Sequence, residues 1–312
     1  MFKSFIRISV LLTTVVGLAA VSPSINADTP TITERLLAEF NGAYPSQSAP
    51  TGHLETVRLV AAPGQWGLMP PYQTSVWAYN GQVPGPVIRI QLGDTLRVKL
   101  VNQLPEPTTI HWHGVRVPNA MDGVPGVNQE PVAPGESFTY EFTPKDPGIF
   151  WFHPHLNSAE QVERGLHGVL VIEDPNEPHY SQDLVWVLDD WRLNQDGSID
   201  SKFVTRHDLA HDGRWGNYLT VNGAYRPVVT VKPGERLRLR MVNVANGRVF
   251  VPVFEHLTPQ VIAIDGMRMV QEHNGSPSLM SPWLGSWSAS LTGHRDVLRL
   301  PAITRQRLRQ RP

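Results

Sequence analysis

The residues best equipped for chemistry are two histidine pairs, each spaced by one residue: His111-Trp112-His113-Gly114 and Phe152-His153-Pro154-His155. Both lie in segments that read as β-strand. Side chains alternate faces along a strand, so each pair puts two imidazoles on one side and sends the intervening residue to the other. Two such strands side by side would crowd four imidazoles into one small volume. A group of that kind is costly to desolvate without a partner, and the obvious partner is a metal ion. All-nitrogen ligation without thiolate favours copper, zinc, nickel or iron, and the order of divalent affinities puts copper first. One such histidine would read as an ordinary surface residue; the clustering is what carries the inference.

The other histidines read more plainly. His53, His179, His207, His211, His256, His273 and His294 show no metal spacing beyond the interval from His207 to His211, which lies in a polar, loop-like segment. His167, in a Gly-Leu-His-Gly turn before a strand, reads as a residue supporting the site or lying at the surface. Met267 and Met269 read as core packing, and the tryptophans as sandwich core and loop anchors.

The elements that must position these residues are short and β-like. Twenty-eight prolines and 25 glycines fall between runs of alternating Val, Ile, Leu and Thr, which marks an antiparallel sandwich or barrel. Val87-Ile88-Arg89-Ile90, residues 95–100, residues 137–142 and residues 168–172 are expected strands, and helical periodicity is scarce outside residues 31–40. An internal repeat organises the rest. The segment from Asn80-Gly81 through Gly93-Asp94 to Asn102 returns as Asn222-Gly223 through Gly234-Glu235 to Asn243. In each, an Asn-Gly turn feeds a strand, a Gly-acid turn reverses it, and an alternating strand runs to an asparagine. After Asn102 the first copy reaches its His-Trp-His; after Asn243 the second passes through Arg248, Phe250 and Val253 with no histidine pair.

Residues 48–175 are therefore read as one β-domain and residues 180–276 as a second, incomplete one, joined by the polar, proline-containing stretch 173–178. From about Pro277 the alternation fails, and residues 277–312 read as an irregular tail. It holds Arg295, Arg299, Arg305, Arg307, Arg309 and Arg311 against Asp296, and its reading is a foreign or frame-shifted ending, with a native disordered tail as the alternative.

At the other end, residues 1–27 pair a basic start (Lys3, Arg7) with an apolar run and a small residue at Ala27. That is the pattern of a secretory signal, followed by an N-terminal segment over residues 28–47. Export to a periplasm or the exterior is expected, with no membrane attachment after cleavage. The chain nevertheless has no cysteine in 312 residues, so neither disulfides nor thiolate chemistry are available. A formal net charge of −1 gives no reason to expect nucleic acid as a partner.

At the two histidine pairs the sequence resembles the multicopper oxidases, the family of laccases, bilirubin oxidase and bacterial periplasmic copper oxidases. The resemblance rests on residues 109–114, Asp122-Gly123-Val124-Pro125, residues 147–155 and residues 165–174, with the second copy similar to that family's second cupredoxin domain. It implies an all-β protein of tandem cupredoxin-like domains. It further implies that His111 ligates a type 2 copper and that His113, His153 and His155 ligate a type 3 pair, together half of the ligands of a trinuclear cluster. Trp112 would face the core, Gly114 and Gly148 would serve as turns, and Asp122 would relay protons near the cluster, or simply form an Asp-Gly turn. Dioxygen and a small-molecule or metal-ion reductant are the implied partners. The family's remaining cluster histidines and its type 1 copper come from carboxyl-end motifs that include a His-Cys-His. This cysteine-free chain therefore reads as a truncated form of a longer protein, without type 1 copper, unless a partner chain supplies the missing ligands. The rival reading is a non-catalytic periplasmic copper-binding or copper-tolerance protein.

Overall fold

The computed structural model describes residues 49–232, 234–252, 254, 259–274, 286–292 and 297–299. The expected secretory signal, the segment through residue 47, the expected helical periodicity at residues 31–40 and most of the tail lie outside them. Among the described residues no helix is long and apolar enough to cross a membrane.

The first repeat folds as two four-stranded sheets. One has the order β2-β1-β4-β6, from β1 (Leu54–Trp66), β2 (Thr74–Tyr79), β4 (Thr95–Asn102) and β6 (Ser137–Phe142). The other has the order β3-β8-β7-β5, from β3 (Val87–Gln91), β5 (His111–His113), β7 (Gly148–His153) and β8 (Gly168–Glu173). Each sheet has free edges, so the architecture is an open sandwich rather than the barrel the sequence also allowed. Alternation explains the packing. Leu96, Val98 and Leu100 of β4 point inward and meet Trp112, Tyr140, Phe150, Phe152 and Leu170 in one core.

The second repeat reuses this plan. β9 (Gln182–Trp191), β10 (Tyr218–Val221), β12 (Arg236–Asn243), β13 (Gln260–Ile264), β14 (Met267–Asn274) and β15 (Ser286–Thr292) form one sheet in the order β10-β9-β12-β15-β13-β14. β11 (Val228–Thr230) pairs with β16 (Val297–Arg299). In both repeats the first strand runs parallel to the fourth, β1 with β4 and β9 with β12.

The equivalence extends to single hydrogen bonds. Asn80 and Asn222 both adopt positive φ (54° and 52°) ahead of a glycine. Asn80 accepts from the Val60 N–H at 2.8 Å and donates to the Arg58 carbonyl at 2.9 Å. Asn222 does the same with Val187 at 2.8 Å and Val185 at 2.9 Å. Asn102 and Asn243, at the ends of β4 and β12, each accept the backbone N–H two residues on, at 2.9 and 3.0 Å.

Two expectations are corrected. Residues beyond Pro277 do contain strands: β15 lies inside the second sheet, flanked by β12 and β13. The sequence Ser286-Trp287-Ser288-Ala289-Ser290-Leu291-Thr292 alternates Trp, Ala and Leu with hydroxyls, a period of two that the serine content disguises. The polar stretch around His207 is not a loop. Two short helices occur among the described residues, α1 (Ser158–Gln161) and α2 (Arg206–Ala210), and α2 is set by a capping box between Thr205 and Asp208.

The repeats share an apolar seam in which Ile149, Trp151, Val169 and Val171 meet Val187, Val242 and Val244. Where β7 begins, a Cβ on Gly148 would stand 2.3 Å from the Gly266 Cα. This expected turn glycine is thus also a point of close backbone approach between the repeats.

Candidate metal centre

β5 and β7 are antiparallel neighbours whose register sets His111 directly opposite His153 and His113 opposite Trp151. Alternation then behaves as the spacing requires. Trp112 turns away and is fully buried against Tyr140, Phe142 and Phe152, while His111, His113, His153 and, just past the strand, His155 share the other side. Ring centroids are 4.2 Å apart for His111 and His155, 5.5 Å for His111 and His153, and 5.3 Å for His153 and His155. One ring nitrogen from each of these three lies within 4.8 Å of the other two. His113 joins through its Nδ1, 3.3 Å from the His153 Nε2.

Hydrogen bonds orient the rings. The His111 Nδ1 meets the Asp122 backbone oxygen at 2.8 Å, and the His153 Nδ1 meets the Pro154 oxygen at 2.9 Å. A carbonyl can only accept, so both Nδ1 atoms carry the proton and both Nε2 lone pairs face the shared volume. The turn holding Asp122 is itself held close. Gly123 has φ +78°, and a Cβ there would fall 1.8 Å from the Ile110 carbonyl oxygen, just ahead of β5. Asp122 also brings a carboxylate oxygen to 3.3 Å from the His111 Nδ1. His155 is anchored through its backbone N–H to the Thr109 hydroxyl at 3.2 Å.

Electrostatics favour the neutral form of His113, His153 and His155, the form a metal needs. Burial pushes His113 down to about 4, helped by neighbouring His111 and His155. Burial first, then His111 and His113, holds His153 well below the usual range, and His155 is lowered by burial and His111. Converging neutral imidazoles with no thiolate nearby form a donor set that copper fits.

Some of the site was not expected from sequence. The Trp151 ring stacks on His153 at 4.1 Å and 22°. The imidazoles open into a cavity of about 560 Å³ whose far wall comes from the second repeat: Phe203, Val204, Leu209, Arg214, Val244 and Asn246. Nothing in local periodicity announces that wall; the only hint is that the second repeat carries apolar residues on a short capped segment. His167 is buried rather than at the surface. It lies in the seam, 3.7 Å from the Asp189 carboxylate, and burial pushes it down to about 4.

Two cupredoxin-like sandwiches, one bearing convergent imidazoles, define the class of the protein. Residues 62–177 match the multicopper oxidase family model, and over that stretch the chain carries a multicopper oxidase domain. It is 33% identical over 230 residues to the multicopper oxidase MmcO of Mycobacterium tuberculosis, covering 64% of this chain and 44% of that protein. It is 30% identical over 223 residues to Laccase-2 of Cryptococcus neoformans, covering 62% and 37%. The multi-copper oxidase of Pseudomonas thermotolerans superposes with a TM-score of 0.71 at 35% identity, covering 80% of this chain and 59% of that one. The chain thus spans less than half the length of these two curated relatives.

Proposed function

We propose that the chain is a copper-binding oxidoreductase of the multicopper oxidase type, which in its full-length form oxidises phenol, amine or metal-ion substrates and reduces dioxygen to water. The observation that carries this reading is the convergence of His111, His113, His153 and His155 from two neighbouring strands. By resemblance to the family, His111 would hold a type 2 copper and the other three a type 3 pair. Bound copper would supply one-electron redox chemistry toward dioxygen. The protein's own part is to present neutral imidazoles, to fix their tautomers through Asp122 and Pro154, and to line the approach with apolar side chains that limit water. The Asp122 carboxylate beside His111 is placed to hold or pass a proton.

The two repeats are read as cupredoxin-like domains, the first of residues 48–175 and the second from residue 180 through β15, exported by the leader at residues 1–27. These 312 residues contain no cysteine, so the thiolate of a type 1 copper and the remaining cluster ligands would come from outside them, from the rest of a longer protein or from a partner chain. That same absence favours the second reading, a non-catalytic copper-binding protein. Copper stoichiometry measured together with oxidation of a laccase dye separates them. Bound copper with dye turnover supports the oxidase, bound copper without turnover supports the second reading, and a chain that retains no copper overturns both.

A further inference from the structure

A second histidine pair lies outside the centre described above. His207 and His211 are four residues apart, and α2 turns that spacing into proximity: their ring centroids are 4.3 Å apart, tilted by 48°. The backbone beneath them is fixed before any ligand arrives. The His211 N–H donates to the His207 carbonyl at 3.1 Å, closing the turn. Asp208 N–H donates to the Thr205 hydroxyl at 3.0 Å, and the Asp208 carboxylate receives the Arg192 guanidinium at 2.8 and 3.2 Å. Both rings are exposed, and among the described residues no protein hydrogen bond engages a nitrogen of either.

Two imidazoles one helical turn apart can chelate a single ion, because metal–nitrogen bonds of about 2.0–2.1 Å leave the two ring nitrogens only about 3 Å apart. The observed centroid separation of 4.3 Å brings the two rings into the range where one ion could engage both. Exposure leaves the rest of the coordination sphere to water, so such a site takes up an aquated ion and releases it readily. The order of affinities among late first-row divalent ions places copper(II) first. Arg206 and Asp212, both exposed, flank the pair in sequence with opposite charges.

We propose that His207 and His211 form a labile binding site for a late first-row divalent cation, copper(II) foremost, on the rim of the cavity. The location follows from α2 itself, whose Asp208 and Leu209 border the cavity opposite the four imidazoles. An ion held there staples the helical turn that forms one wall of the approach. The site is independent of the reading of the interior histidines.

Equilibrium dialysis of the full chain against copper(II), wild type beside His207→Gln and His211→Gln, tests the site. A weak class of binding in the wild type should weaken on the order of 100-fold in either variant, since one imidazole loses the chelate advantage, while tightly held copper is unchanged. Modification of the wild-type chain by diethyl pyrocarbonate gives a second readout that needs no variant. Copper(II) should protect His207 and His211 while the exposed His53 stays reactive. Unaltered weak binding in both variants, or modification of His207 and His211 as fast as His53 with copper present, overturns the site.

Discussion

The two repeats share a scaffold and differ in what they do with polar groups. After Asn102 the first repeat sends its chain into β5 and leaves imidazoles free to meet a ligand. After Asn243 the second sends Arg248 inward, where it pairs with the fully buried Asp190 carboxylate at 2.7 Å, donates to the Gly216 carbonyl at 2.7 Å and lies over the Trp215 ring. Phe250 fills the core beside it. One copy leaves its imidazoles open to an ion; the other engages Arg248 with Asp190 and Gly216 inside the fold and contributes an apolar wall. A turn-and-strand framework held by asparagine side chains is therefore indifferent to whether the next segment binds metal.

The comparison breaks most decisively if the imidazoles are not the metal donors. Replacing His111 and His153 together by Ala should lower copper affinity on the order of 10⁴-fold, about a hundredfold for each ring. Metal analysis after dialysis reads this directly, and unchanged copper content would end the distinction between the repeats.

The second repeat is tested by Arg248→Ala. Stranding Asp190 should cost about 3–5 kcal/mol in stability without changing copper content. Denaturant unfolding read beside metal analysis checks both halves of that expectation.

Between the repeats, His167 is neutral in the folded chain and titrates near 4 rather than near 6.5. Its contribution is therefore present above about pH 6.5 and is lost as pH falls toward 4, where the unfolded chain takes up the proton first. Relative to His167→Gln, the wild type should lose up to about 3 kcal/mol across that window, as pH-dependent unfolding of the two proteins would show.

The smallest effect sharpens the similarity rather than the difference. Asn80→Ala and Asn222→Ala each remove one accepted and one donated hydrogen bond from a positive-φ turn. Each should cost about 1–2 kcal/mol, nearly equal in thermal or denaturant unfolding. A cost confined to one of them would mean that the scaffolds are not used alike.

Much of this was legible in the sequence because strand periodicity is local. The facing of His111 and His113 away from Trp112, the pairing with His153 and the two Asn-Gly turns follow from period-two alternation and turn chemistry. What escaped depends on distant contacts or on disguised patterns. Phe203 and Leu209 reach the cavity only through the packing of two repeats, which no residue-by-residue rule contains. β15 hides its alternation behind serines, and the helix under His207 is fixed by Thr205 and Asp208, a capping pair that is easily taken for loop.

Asn246, just after β12, donates to the Ala159 carbonyl at 3.1 Å and to the Glu163 carboxylate at 3.0 Å, binding the second repeat to α1 immediately beyond His155. Glu163 also lies 3.1 Å from the Arg214 guanidinium, with both side chains almost wholly buried. Any hinge that pried the halves apart would have to expose this pair along with the valines of the seam. The wall that faces the imidazoles is therefore tied to the first repeat by buried polar contacts as well as by apolar ones.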